Sequence, residues 1–150
     1  TYTKNSAVFK SAEYTIYTRL IEGKYFAYQK MFTEGEINTC VSRTALIGAM
    51  TRAKMCTEEK QPAVFQIEDD VLNISIRDKL ADYQEQVPLQ ETVCKSIRLG
   101  FDSKLVLETL KAFTCDNIAL GFTSPRTPMI VEAEDSDMKA MVLPVAIREV

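Results

Sequence analysis

The chain has 150 residues, 46% hydrophobic and 26% charged, with a net charge of −3 and no histidine. That is enough apolar material for one domain with a full core, or one domain with part of another, without metal or disulfide staples. No apolar run reaches the length of a membrane span, and the acidic balance argues against nucleic-acid affinity through bulk charge, although a local basic face stays open.

The opening residues, "TYTKNSAVFK", lack an initiator Met and read as the middle of a strand, so a fragment of a longer protein is expected. No signal peptide opens the chain. "AVFKS", a turn at "AEY" and then "YTIYTRLIEG" read as a β-hairpin whose apolar face carries Tyr14, Ile16 and Thr18. A lone hairpin is marginal in water, so it packs on the main domain or is the remnant of a neighbour. "TEGE", Thr33–Glu36, reads as the linker.

Beyond the linker the chain repeats itself. A short strand, "INTCV", leads into a helix capped by Ser42, with Leu46, Ile47, Met50 and Ala53 on one stripe. "SIRLGF" leads into a second helix capped by Asp102, with Val106, Leu107, Leu110 and Phe113 at the same relative positions. Strands follow each helix: "AVFQI" and "VLNISI" after the first, with Asp69-Asp70 read as a turn between them, and "NIALGF" and "MIVEAE" after the second. Each copy closes on an apolar-Pro-apolar run, Val87-Pro88-Leu89 and Leu143-Pro144-Val145. The pattern predicts two β-α-β-β-β units with two helices on one face of a mostly antiparallel sheet, an α+β fold. "KAMVLPVAI" reads as a buried strand with Pro144 in its middle, which calls for an edge, a bulge or backbone left bare for something else.

The helix at 42–56 holds Arg43, Arg52 and Lys54 and no acid, whereas the second balances Lys104 and Lys111 against Asp102 and Glu108. Acids gather at Glu58-Glu59, Glu68-Asp69-Asp70 and Glu132–Asp137. A shared helix face would be basic on an acidic body, suited to a loose, sequence-blind hold on a phosphate backbone, or merely solvated. Phosphate-loop, dinucleotide and nucleophile-elbow signatures are absent. Cys40, Cys56, Cys94 and Cys115 are dispersed without a C-x-x-C pair, which argues against a metal and for small core residues in a reducing cytoplasm.

Three stretches carry a family resemblance. "RLIEGKYFAYQKMF", "IRLGFDSKLVLETLKAF" and "FTSPRTPMIVEAEDSDMKAMVLPV" resemble, in order and spacing, the C-terminal third of the bacterial sliding clamp, the β subunit of the replicative DNA polymerase. The family's P-D-Y is Phe26-Ala27-Tyr28 here, and its helix-capping Asn is Asp102. The resemblance implies a DNA-clamp fold, with residues 1–28 ending the middle domain and 29–150 forming the third. It implies a non-enzymatic, cofactor-free processivity factor of the cytoplasm. The full-length protein would be a homodimeric ring around duplex DNA, holding polymerase, clamp loader and repair proteins through short linear motifs.

By motif match, the peptide pocket would use Met141, Leu143, Pro144 and Val145, with Asp102, Leu105 and Pro128 alongside, and Phe26, Lys30 and Met31 from the domain junction. The helix residues Arg43, Arg52, Lys54, Lys104 and Lys111 would face DNA. Met55 and Cys56, with an edge strand carrying Tyr83, Glu85 and Val87, would meet the other protomer of the ring. Two other readings are an interaction module unrelated to DNA and a small thiolate enzyme, the latter requiring a depressed cysteine pKa.

Overall fold

The computed structural model describes residues 1–56, 61–77, 82–133 and 136–147. The Glu58-Glu59 pair, residues 134–135 of the Glu132–Asp137 run and the last three residues lie outside that set. The chain divides into two compact units, Thr1–Lys30 and Met31–Val150.

In the first unit, β1 (Ser6–Lys10) and β2 (Thr15–Arg19) pair antiparallel from Ser6↔Arg19 to Lys10↔Thr15, as the hairpin pattern predicts. Its alternation does not bury a face within this unit: every residue of β2 is exposed, Ile16 and Tyr17 included. A 3-10 turn spans Tyr28–Met31.

The second unit runs β3 (Ile37–Ser42), α1 (Arg43–Met55), β4 (Ala63–Arg77), β5 (Asp82–Phe101), α2 (Ser103–Ala112), β6 (Asn117–Phe122), β7 (Met129–Ala133) and β8 (Ser136–Val142). The strands form one antiparallel sheet in the order β4-β5-β3-β6-β7-β8. Both helices start where the caps predict. Ser42 Oγ accepts the Ala45 N–H, and the Asp102 carboxylate accepts those of Lys104 and Leu105 at 2.8 and 3.3 Å. Leu46, Ala49, Met50 and Ala53 of α1 and Val106, Leu107 and Leu110 of α2 join a single core with the inward residues of the sheet, and the helices pack on each other. Both therefore lie on one face of the sheet.

The repeat is written into the pairing. Ile76↔Tyr83 in the β4–β5 hairpin corresponds to Glu132↔Lys139 in the β7–β8 hairpin, displaced equally at both ends. The strand ahead of each helix pairs with the strand behind the other: β3 with β6, and the end of β5 with the start of β4. Each copy also ends in a matching bridge, Val41↔Leu89 in the first and Gly100↔Val145 in the second.

Four expectations change. "AVFQI" and "VLNISI" are one strand, and Asp69-Asp70 is an irregularity within it, not a turn. Ala63, Phe65 and Ile67 point inward before it and Leu72, Ile74 and Ile76 after it, so the inward set passes from odd to even positions. A strand alternates strictly, so only an irregularity can move the phase; Asp69, at φ 51, supplies it. "SIRLGF" is the end of a 20-residue strand. "KAMVLPVAI" is not continuous: β8 stops at Val142, Leu143-Pro144 leave the ladder, and Val145 re-enters as a single bridge. The cysteines are not fully buried core residues: Cys94 is exposed and the other three are half-buried, with Cys115 packed against the core.

Candidate functional site

The tail after β8 and the first turn of α2 form one neighbourhood because Gly100 joins them. The Val145 N–H donates to the Gly100 carbonyl at 2.8 Å, two residues before the Asp102 cap. A Cβ at position 100 would sit 2.8 Å from the Val145 carbonyl oxygen and 3.0 Å from Ile147 Cγ1, so only glycine admits the tail this closely. The signal in the sequence is a glycine inside an apolar strand, "RLGF", a place that helix and turn patterning leave unmarked.

Large apolar side chains stand in water around this junction. Leu143 is 57% exposed, Leu105 50% and Val145 41%. Pro144, Met141 and Pro128 are half-buried. Met129 pairs with Val142, so Pro128 and Leu143 flank the end of that ladder. Asp102 is exposed, and its carboxylate is committed to the α2 N-terminus. Met31 is half-buried in this unit; Phe26 and Lys30 are exposed residues of the first unit.

The helix cations differ from one another. Arg43 is half-buried, and its Nε donates to the Cys115 carbonyl while its backbone N–H donates to Asp116, which ties the start of α1 to the loop after α2. Arg52 forms a two-pronged pair with Glu85 of β5: Nε donates to Oε2 at 2.8 Å and Nη2 to Oε1. Lys54, Lys104 and Lys111 are exposed.

Tyr83, Glu85 and Val87 turn their side chains toward the helices, in a segment of β5 whose ladder is with β4. β5 lies between β4 and β3 in the sheet, although its ladder to β3 is only Val41↔Leu89. Val87 is 2% exposed and belongs to the core, so its side chain leaves the candidate dimer surface. The Tyr83 hydroxyl reaches both the Ala49 carbonyl, at 2.9 Å, and the Glu85 carboxylate. Hydrogen bonds from Arg52 and then Tyr83 push the Glu85 carboxyl down to about 2. Burial, then the Glu85 contact, pushes the Tyr83 phenol up to about 12, and Glu85 raises the Arg52 guanidinium above its ordinary value. Met55 is 82% exposed at the end of α1, and Cys56 caps the helix with its N–H on the Ala53 carbonyl. Among the described residues no helix is long and apolar enough to cross a membrane.

A family model for the C-terminal domain of the DNA polymerase III beta subunit matches residues 31–146. The chain is 26% identical over 140 residues to the beta sliding clamp of Halalkalibacterium halodurans, covering 90% of this chain and 37% of that protein. It is 25% identical over 149 residues to that of Staphylococcus aureus, covering 96% and 40%. The fold superimposes on the DNA polymerase sliding clamp of Pseudomonas aeruginosa with a TM-score of 0.87 at 19% identity, over 97% of this chain and 41% of that one. The chain thus spans about two fifths of the relatives it matches.

Proposed function

This chain belongs to the DNA polymerase III beta subunit family through its C-terminal domain, and on that premise we propose that it is the peptide-binding, DNA-facing third of a non-catalytic processivity clamp. Residues 1–28 are read as the end of the middle domain and 29–150 as the third. In the whole protein, homodimeric rings of such domains would encircle duplex DNA in the cytoplasm and tether polymerase, clamp loader and repair proteins.

One observation carries the reading: exposed Leu143 and Val145 on the tail and exposed Leu105 on α2 belong to the two segments that the Gly100–Val145 bridge brings together. Soluble surfaces expose single apolar residues freely, but grouped ones around a proline-broken backbone fit the anchors of an extended peptide. Val142 is buried, so alternation along β8 already turns Leu143 outward, and Pro144, with no N–H to donate, ends the ladder beside it. The helix face supports the DNA half of the reading, since exposed Lys54, Lys104 and Lys111 offer charge without base-reading geometry.

The test is fluorescence anisotropy with a labelled Gln-Leu-x-Leu-Phe-type peptide. Covering the exposed half of Leu143 is worth about 1–2 kcal/mol, and an aspartate there adds the cost of burying a charge. Leu143→Asp is therefore expected to weaken binding by more than tenfold with an unchanged melting curve. Equal binding by the variant removes the tail from the site.

A further inference from the structure

Only half of the Asp102 carboxylate serves the fold. The Lys104 and Leu105 N–H groups both donate to Oδ1, at 2.8 and 3.3 Å, and Oδ2 has no partner among the described residues. A cap needs one acceptor and no charge, as the Ser42 hydroxyl shows at the head of α1. The α2 dipole favours an anion at this end, yet it leaves the second oxygen unclaimed on an exposed residue. That oxygen belongs to the rim of the apolar tail. From Ala140 to Ile147 the chain carries no ionic group, so any charge beside Leu143 and Val145 comes from the segments that receive them. The bridge between Gly100 and Val145 is antiparallel, which puts Leu143 on the Asp102 side of it and Ile147 on the Arg98 side. The exposed anchor therefore lies toward the acid, and the cation of β5 lies at the other end of the contact. Lys104 stands about 100° round the helix from Leu105.

We infer that Asp102 makes the patch selective for peptides that carry a lysine or arginine beside their aliphatic anchors. The anchors cover Leu143, Val145 and Leu105 while the cation meets Oδ2. Selectivity of this kind rests on the peptide-site reading and deepens it. The same carboxylate repels an acidic peptide or a nucleic-acid phosphate, so a basic, aliphatic segment is the occupant that matches both the charge and the exposed apolar side chains. An exposed ion pair is small beside apolar burial, so the cation decides which peptide is preferred and not whether one binds.

The 150-residue chain is titrated by fluorescence anisotropy with labelled Gln-Leu-x-Leu-Phe-type peptides. In separate sets the residue at x, the one before Gln and the one after Phe is made Lys, Gln or Glu. At the position that lies against Asp102, the Lys peptide is expected to bind about two- to fivefold tighter than the Gln peptide, the range of an exposed ion pair, and the Glu peptide more weakly than either. High salt is expected to erase the preference and leave the binding. Asp102→Asn keeps an acceptor for the α2 N–H groups and is expected to bind the three forms alike. Glu108→Gln removes the same charge elsewhere on α2 and is expected to keep the preference. Melting curves confirm that each variant folds. A preference that survives Asp102→Asn overturns the inference, as does an equal loss in Glu108→Gln, since net charge then accounts for it. Leu143→Asp tests the apolar site by itself. If it releases the peptides while wild type binds the Lys, Gln and Glu forms equally at every position, the selectivity falls and the peptide site stands. If Leu143→Asp binds as wild type does, or no peptide binds at all, both fall.

Discussion

Replacing Gly100 by alanine tests how the tail is held against β5. The new methyl carbon would start 2.8 Å from the Val145 carbonyl oxygen and 3.0 Å from Ile147 Cγ1. An ordinary contact needs roughly 0.5 Å more, and a backbone carbonyl cannot rotate aside as a flexible side chain can. The tail must lift, which sacrifices the 2.8 Å Val145–Gly100 hydrogen bond, a loss of about 0.5–1.5 kcal/mol. Against this, Gly→Ala restricts the unfolded chain and returns about 0.4–1 kcal/mol. Global stability should therefore move by less than about 1 kcal/mol, while the tail opens about fivefold more often for each kcal/mol of tether lost. Amide hydrogen exchange separates the two effects. The Val145 amide should lose protection in Gly100→Ala, while amides of the β3–β6 ladder, from Ile118 to Leu120, keep theirs. Peptide binding should weaken in step with the Val145 amide, since Leu143 and Val145 ride on the lifted segment. Unchanged protection at Val145 would refute the argument, as would a loss spread evenly over the ladder.

Asp102 separates capping from charge. Asp102→Ala should cost about 1 kcal/mol of stability through the lost α2 cap, whereas Asp102→Asn keeps an acceptor for the Lys104 and Leu105 N–H groups and should melt near wild type; equal melting temperatures for the two would show that the cap carries no stability. Arg43→Ala removes a charged donor from the Cys115 carbonyl and should lower the urea midpoint by the equivalent of about 1–2 kcal/mol, and an unmoved midpoint would remove Arg43 as the link between α1 and the loop after α2.

Local signals in the sequence are dependable where one residue decides one feature. Ser42 and Asp102 cap their helices because a short acceptor must meet the free N–H groups of the first turn wherever the helix docks. The in-register stripes of the two helices appear as one core for the same reason. What escapes reading depends on partners distant in sequence. Asp69-Asp70 has a turn's composition, and only the need to keep both Ile67 and Leu72 inward makes it a break of phase within one strand. Arg52 looks like a DNA-facing cation because nothing within α1 opposes it; its acid is 33 positions on, in β5. Arg43 misleads in the same way, its acceptor being a backbone carbonyl of a loop 72 positions away. The tail is half legible. Pro144 marks a break in pairing, but the re-entry at Val145 follows from Gly100, and neither residue states that alone.

The crossed pairing of the two copies has a consequence for synthesis on the ribosome. β3 is made early, yet the partner of its full ladder, β6, lies some 75 residues downstream, a wait of roughly 4–15 seconds at ordinary elongation rates. During that interval β3 has only the Val41↔Leu89 bridge to β5, and α1 has the β4–β5 hairpin to rest on but neither α2 nor β6. Neither copy can finish first. A chain stalled between Phe101 and Asn117 would hold β4 and β5 but leave the main ladder of β3 unpaired.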